Sequence, residues 1–190
     1  MKRIFIVHGW EFSPEMNWYP WLKRELEKKD FKVLVPAMPN PEAPVIKTWV
    51  DALAHAVGTP DKQTFFIGHS IGCQTILRYL STVTSSVGGV VLVAPWLTLS
   101  DAALPDKNYR AIAKPWLETR IKQANILQHA GPIIAIFCDD DPYVPMENER
   151  KFKESFGAVT KTISGKGHFT SEDGVTEIRE ALAALLELST

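Results

Sequence analysis

Six short apolar runs punctuate the chain: Arg3–Val7, Lys32–Val35, Thr64–Ile67, Gly89–Val93, Pro132–Phe137 and Val159–Ile163. Most are nearly continuous in apolar residues rather than alternating, the pattern of strands covered on both faces. Between them the apolar positions fall at helical spacing. Trp18, Trp21, Leu22 and Leu26 make one stripe, and Ser13 followed by Pro14 predicts its N-terminus. Ile46, Trp49, Val50, Leu53 and Val57 make a second stripe, which stops at Gly58. A third helix follows Ser70. A fourth, around Glu147–Phe156, buries Phe152 and Phe156 and ends at Gly157, and the last carries Val175, Ile178, Leu182, Leu185 and Leu186. Repeated alternation of strand and helix predicts an α/β architecture, a parallel sheet with helices on both faces.

The stretch from Trp96 to Asn125 breaks this alternation. It holds Pro105, Pro115, mixed charges and the aromatics Tyr109 and Trp116, and it is too long for a tight connection. It leaves the C-terminal end of the Gly89–Val93 strand, the side on which open α/β sheets bind ligands. Two readings stand: a small lid or pocket wall over 96–125, or an ordinary crossover helix with a long loop.

Composition narrows the class without naming a chemistry. A length of 190 residues suits one domain, 1–190, and 45% hydrophobic with 23% charged residues is ordinary for a globular chain. A net charge of −1 gives no footprint for nucleic acid or an anionic membrane. Cys73 and Cys138 are the only cysteines, both in apolar contexts, so buried free thiols are expected rather than a disulfide. Met1-Lys2-Arg3 leads into an apolar run too short for a signal peptide, and no segment approaches membrane-spanning length. A soluble cytoplasmic protein is the expectation.

Candidate chemistry centres on Gly68-His69-Ser70-Ile71-Gly72, between a strand and a helix. G-x-S-x-G in that context is a nucleophile elbow, a tight turn that projects a serine hydroxyl above the sheet edge. Gly68 and Gly72 would leave room where side chains collide with the neighbouring strand or helix. Ser70 also sits at a helix N-terminus, where backbone N–H groups can stabilise an oxyanion. The bland alternative is a structural N-cap serine.

A serine hydroxyl needs a base, and the base needs an acid to hold its tautomer. In α/β hydrolases the chain order is serine, acid, histidine. Only His129 and His168 follow Ser70. His168 lies in Ser164-Gly165-Lys166-Gly167-His168-Phe169, after the last strand, in a glycine turn flexible enough to swing an imidazole over the elbow. His129 precedes a strand and belongs to the opposite sheet edge. His69 adjoins the nucleophile but points away, His8 shapes the loop after the first strand, and His55 fits a helix face. The acid belongs in Cys138-Asp139-Asp140-Asp141-Pro142-Tyr143-Val144-Pro145. The string from Asp141 to Pro145 resembles the acid loop of many hydrolases with this chain order, which puts Asp141 ahead of Asp140 and Asp139; the others would cap a helix or be solvated. For the oxyanion, the Ile71 N–H is one donor, and the loop His8-Gly9-Trp10 points to the Trp10 N–H as the other.

With these loops in place the chain resembles the α/β-hydrolase superfamily over nearly its whole length. Its small size and the strings Trp18-Tyr19-Pro20-Trp21-Leu22, Met38-Pro39-Asn40-Pro41, Gly68-His69-Ser70, Lys114-Pro115-Trp116, Asp140-Asp141-Pro142 and Gly167-His168-Phe169 resemble the retinoblastoma-binding-protein-nine-like serine hydrolases. The resemblance implies a compact, mostly parallel six-stranded hydrolase fold and a triad of Ser70, Asp141 and His168. The His8-Gly9-Trp10 loop departs toward general esterases. No Leu-x-Cys-x-Glu string is present, so the family name carries no protein partner to this chain.

The expected activity is that of a serine hydrolase of the carboxylesterase kind, cleaving a small ester, thioester or amide through an acyl-enzyme. No cofactor and no metal are called for; paired-cysteine metal spacing is absent. Trp96, Tyr109, Trp116 and Tyr143 fall near the expected active side and suggest a partly aromatic pocket for a small carbonyl substrate. A competing reading is a protein-binding module that keeps the fold with little or no catalysis. Cys73, three residues past the serine, is turned toward the core by helical spacing, which argues against it as the nucleophile.

Overall fold

The structure, a computed structural model, describes residues 1–190. Along the chain come β1 (Arg3–Val7), α1 (Tyr19–Glu27), β2 (Lys32–Leu34), α2 (Ile46–Val57), β3 (Thr64–His69), α3 (Ile71–Leu80) and β4 (Gly89–Val93). A 3-10 turn at Asp101–Ala103 follows, then α4 (Lys107–Glu118), α5 (Gln123–His129), β5 (Ile133–Cys138), α6 (Glu147–Phe156), β6 (Val159–Ile163) and α7 (Arg179–Leu188). All six strands form one sheet in the order β2-β1-β3-β4-β5-β6, and every pair is parallel.

Burial explains the apolar runs. β3, β4 and β5 are buried at every position, as their continuous hydrophobicity requires. The edge strands β2 and β6 are partly exposed, which suits the polar residues of Val159-Thr160-Lys161-Thr162-Ile163. Helices cover both faces: α1 packs with α7, while α2, α3, α5 and α6 pack in series. One core cluster joins them, with Trp18, Trp49, Trp116, Phe66 and Phe152 essentially inaccessible. No helix is long and apolar enough to cross a membrane, and both cysteines are free and buried.

The strand order decides where a ligand can go. Connections leaving β1 and β3 head to opposite faces, so a crevice opens at their C-terminal ends. Gly9 and Trp10 leave β1 there, and Ser70 leaves β3 there.

Several element boundaries need correction; β2 ends at Leu34 rather than Val35, and β3 runs on to His69 rather than stopping at Ile67. The first helix does not begin at Ser13-Pro14 but at Tyr19, with Pro20 in its first turn. Asn17 has a φ of 54°, which a right-handed helix cannot contain, and the Ser13 hydroxyl bonds Glu15 instead of capping. Val175 and Ile178 are buried but precede α7, because Ile178 has non-helical dihedrals. The fifth strand starts at Ile133 and reaches Cys138, one residue later than expected at both ends.

The stretch 96–125 carries the 3-10 turn, α4 and the start of α5. Buried Asn148 of α6 accepts from the Leu97 and Thr98 N–H groups and donates to the Thr98 and Pro145 carbonyls, fixing where the chain leaves β4. The C-terminal end of α4 is held by Arg78, whose guanidinium donates to the Trp116 and Thr119 carbonyls.

Candidate active site

Ser70 is the single residue between β3 and α3, at φ 52° and ψ −119°. A non-glycine residue held there stores about 1–3 kcal/mol of strain, which surrounding contacts must offset. Ser70 N donates to Val93 O at 2.9 Å, and Cys73 N donates to Ser70 O at 2.9 Å. The flanking glycines permit the close packing. A Cβ on Gly72 would lie 2.3 Å from the Val7 carbonyl oxygen, and one on Gly68 would lie 2.8 Å from Cys73 N. A larger residue at either position would push α3 off β1 or β3.

The loops after β5 and β6 meet beside this turn. His168 Nδ1 lies 2.8 Å from Asp141 Oδ2. The other Asp141 oxygen accepts from the Tyr143 and Val144 N–H groups at 2.8 and 3.1 Å, which fixes the carboxylate plane. The Asp141 side chain is only 1% exposed, so water does little to screen the pair. A carboxylate on Nδ1 leaves Nε2 as the ring's free basic nitrogen.

The neighbouring aspartates act on the histidine loop, neither capping a helix nor merely solvated. Asp140 Oδ1 accepts from Gly167 N at 3.1 Å and from the Cys138 thiol at 2.7 Å, and Asp139 accepts from the Ser164 hydroxyl at 2.6 Å. Beyond His168, Asp173 Oδ2 accepts from His168 N and Thr170 N, each at 3.0 Å. The glycine turn is therefore pinned on both sides of the histidine, not free to swing.

Across the site, His8 organises the loop after β1. Its Nε2 accepts from Met38 N at 3.0 Å and its Nδ1 donates to Gly9 O at 2.8 Å, an arrangement only the neutral ring can make. Burial pushes its pKa down, in keeping with that. Gly9, Glu11 and Phe12 spend their backbone N–H groups on Tyr19 Oη, Pro41 O and Gly9 O, whereas the backbone N–H groups of Trp10 and Ile71 have no partner within the chain; the Trp10 indole N–H donates to Glu42 O at 3.0 Å.

Ser70, Ile71, Trp10 and His168 all open onto one cavity of about 390 Å³. Ser70 and His168 share its wall without a direct hydrogen bond between them, a looseness common before substrate is bound. Trp96, Tyr109 and Tyr143 also line it, with Leu99 and Pro105 from the 96–125 stretch. Tyr109 packs on Trp10 with ring centroids 5.2 Å apart and donates to Glu11 Oε1 at 2.9 Å, tying α4 to the β1 loop. Trp116 is not in the pocket: it is buried against Trp49, donates to Pro44 O and lies under Arg78. The cavity carries the acids Glu11, Glu172 and Asp173 and no lysine or arginine.

The remaining candidates stand apart. His129 closes α5, at the opposite end of β5 from Asp141, and His55 is exposed on α2. Cys73 is fully buried with its thiol on Val93 O, and burial raises its pKa far from the thiolate range. Sequence reasoning missed Asp173, whose only signal is the turn string Ser171-Glu172-Asp173-Gly174, and undervalued His69 and Tyr19. A histidine at the end of a strand buried at every position is the available clue, since a buried polar group must find partners.

The parallel sheet and the strained serine between strand and helix define an α/β hydrolase. The family described as serine hydrolase matches residues 4–187, and the chain belongs to that family. It is similar to YdeN of Bacillus subtilis, named as a hydrolase, at 27% identity over 179 residues, 93% of this chain and 90% of that one. The structure of the ydeN gene product superposes with a TM-score of 0.90 at 25% identity, over 99% of this chain and 98% of that one. The serine hydrolase RBBP9 of Rattus norvegicus is 28% identical over 178 residues, 92% of this chain and 87% of that one. Est1E of Butyrivibrio proteoclasticus shares the fold, with a TM-score of 0.73 at 16% identity over 98% of this chain and 88% of that one.

Proposed function

We propose that this hydrolase cleaves a small carboxylic ester through an acyl-enzyme, with Ser70, His168 and Asp141 as its triad. The observation that carries the reading is the strained Ser70 opening onto the cavity it shares with His168, whose ring is held by the buried Asp141. Ser70 Oγ attacks the ester carbonyl while His168 Nε2 takes its proton. The oxyanion accepts from the Trp10 and Ile71 backbone N–H groups, which have no competing partner. His168 then protonates the departing alkoxide. A water, deprotonated by the same nitrogen, releases the acid and restores Ser70. Asp141 stabilises the imidazolium without taking its proton.

Cavity size and lining support the substrate class. About 390 Å³ is near the lower end for small-molecule sites, roughly 300–1,000 Å³. Trp10, Trp96, Tyr109 and Tyr143 favour a flat or aromatic acyl group, and the acids at the wall disfavour an anionic one. Amides are placed last, because an amine departs only once His168 has protonated it; a thioester would be cleaved by the same steps as an ester. The chain is read as one hydrolase domain in which 96–125 forms a pocket wall.

Intact mass after incubation with a fluorophosphonate tests the triad. One adduct on wild type, none on Ser70→Ala and strongly slowed labelling in His168→Ala and Asp141→Asn are expected. A folded wild type that stays unmodified overturns the proposal and leaves a binding module on a hydrolase fold.

A further inference from the structure

We propose that Tyr19 and His69 are positioning residues for this reaction, a buried hydrogen-bonded relay that holds the oxyanion loop and the His168 loop at one separation around Ser70. Gly9 N donates to Tyr19 Oη at 3.2 Å, Tyr19 Oη lies 2.6 Å from His69 Nδ1, and His69 Nε2 lies 2.8 Å from the His168 carbonyl oxygen. The proton positions follow by elimination. A carbonyl only accepts, so Nε2 carries the His69 proton. Nδ1 of the neutral ring then accepts, and Tyr19 must supply the proton. The tyrosine oxygen keeps a lone pair for Gly9 N–H. Each contact is used once and in one direction, and Tyr19 and His69 are both fully buried.

The attachment points give the relay its catalytic relevance. Gly9 immediately precedes Trp10, the proposed oxyanion donor. The far end is the backbone of His168, the proposed base. The ring between them belongs to the residue before Ser70. Loops from β1, β3 and β6 are thus cross-tied next to their working atoms. The ring sits in a fixed slot, parallel to Phe12 at 5.7 Å and tilted against Trp18 at 5.6 Å. Its neutrality also matters, since its centroid is 5.2 Å from that of His168, which becomes an imidazolium during turnover. A second positive charge there would oppose the proton transfer.

Steady-state kinetics on a p-nitrophenyl ester test the relay with Tyr19→Phe, His69→Leu, His69→Gln and the Tyr19→Phe/His69→Leu double variant, alongside thermal melts. A displacement near 1 Å costs about 100-fold, so kcat should fall about 10- to 100-fold in Tyr19→Phe and His69→Leu, with KM within about threefold. His69→Gln keeps an N–H within reach of the His168 carbonyl and should recover most of the loss. The double variant should be within about threefold of His69→Leu, because both changes cut one chain. Unchanged kcat in folded variants, glutamine no better than leucine, or losses that multiply would each overturn the proposal. If His69→Leu does not fold, Tyr19→Phe, which deletes one oxygen, decides the matter. The relay rests on the proposed roles of Ser70 and His168. A wild type that neither labels nor cleaves an ester sinks those roles, whereas an active wild type with indifferent variants sinks the relay alone.

Discussion

Acid should destabilise this protein through His69, and the size of the effect can be worked out. In the unfolded chain the imidazole titrates near its ordinary 6.5, whereas in the fold burial, followed by the neighbouring His168, pushes it down to about 3. Between those values the unfolded state binds a proton that the folded state refuses, so stability falls as pH falls. Above 6.5 neither state is charged and the group contributes nothing to the slope. Below 6.5 the loss grows toward ~1.4 kcal/mol per pH unit and levels off near 3, for a total on the order of 5 kcal/mol. From about pH 6.5 to about pH 4.5 the integrated loss from this one ring is about 2.3 kcal/mol.

Other groups titrate in the same window. His8, also pushed down by burial, adds a loss of the same sign, while carboxylates such as Glu149, held low by Lys153, keep their contribution down to the ordinary 4.5 and lose it below that. The total acid sensitivity is therefore not diagnostic, but the difference between wild type and His69→Gln is, since only His69 differs. Urea unfolding followed by circular dichroism at about pH 6.5, 5.5 and 4.5 measures it, provided the transition remains two-state. Wild type should lose about 2 kcal/mol more than the variant across that range. Parallel losses would mean that His69 accepts a proton in the folded state, and the argument from burial would fail.

Gly72→Ala places a methyl 2.3 Å from the Val7 carbonyl oxygen, so β1 or α3 must move; a loss of about 2–4 kcal/mol, read as a fall in urea midpoint, is expected. Arg78→Met leaves the Trp116 and Thr119 carbonyls at the end of α4 without their donor and should cost about 2–3 kcal/mol, with faster proteolysis in 107–125 than elsewhere. Adding a carboxylate to the acyl group of an otherwise good ester should lower kcat/KM about tenfold, because Glu11 and Glu172 face the cavity with no cation to offset them; Glu11→Gln/Glu172→Gln should restore most of that, and an unchanged ratio would refute the electrostatic argument.

The fold was legible wherever local chemistry and tertiary demand agreed. Gly89-Val90-Val91-Leu92-Val93 is buried on both faces and carries nothing but apolar side chains, so its strand could be read to the residue. The same holds for α6, which ends at Gly157 in the left-handed conformation that glycine permits. The start of α1 was misread because Ser13-Pro14 is a good local N-terminus. The chain uses that signal for a turn instead, and Asn17 at positive φ delays the helix until Tyr19. Local preference is a weak prior when a loop must first carry the chain across the mouth of a site.

The candidate site shows the same division more sharply. Ser70 was visible because an elbow needs glycines two residues either side of the serine, a requirement confined to five positions. The loop holding His168 depends on Asp140 and Asp173, 28 residues before and five after it, and no local rule links them. Neighbouring side chains at a tight turn point apart, which argues against His69 as the base for Ser70. The His69 ring spends both nitrogens on Tyr19 Oη and the His168 carbonyl oxygen, not on the serine hydroxyl. It faces instead the backbone of the histidine expected to act on that serine. What sequence spacing cannot convey is that a side chain directed away from a site can still touch the scaffold of its opposite wall. In a site assembled from four loops on four parallel strands, the residues between the loops fix the geometry, and only the fold brings them together.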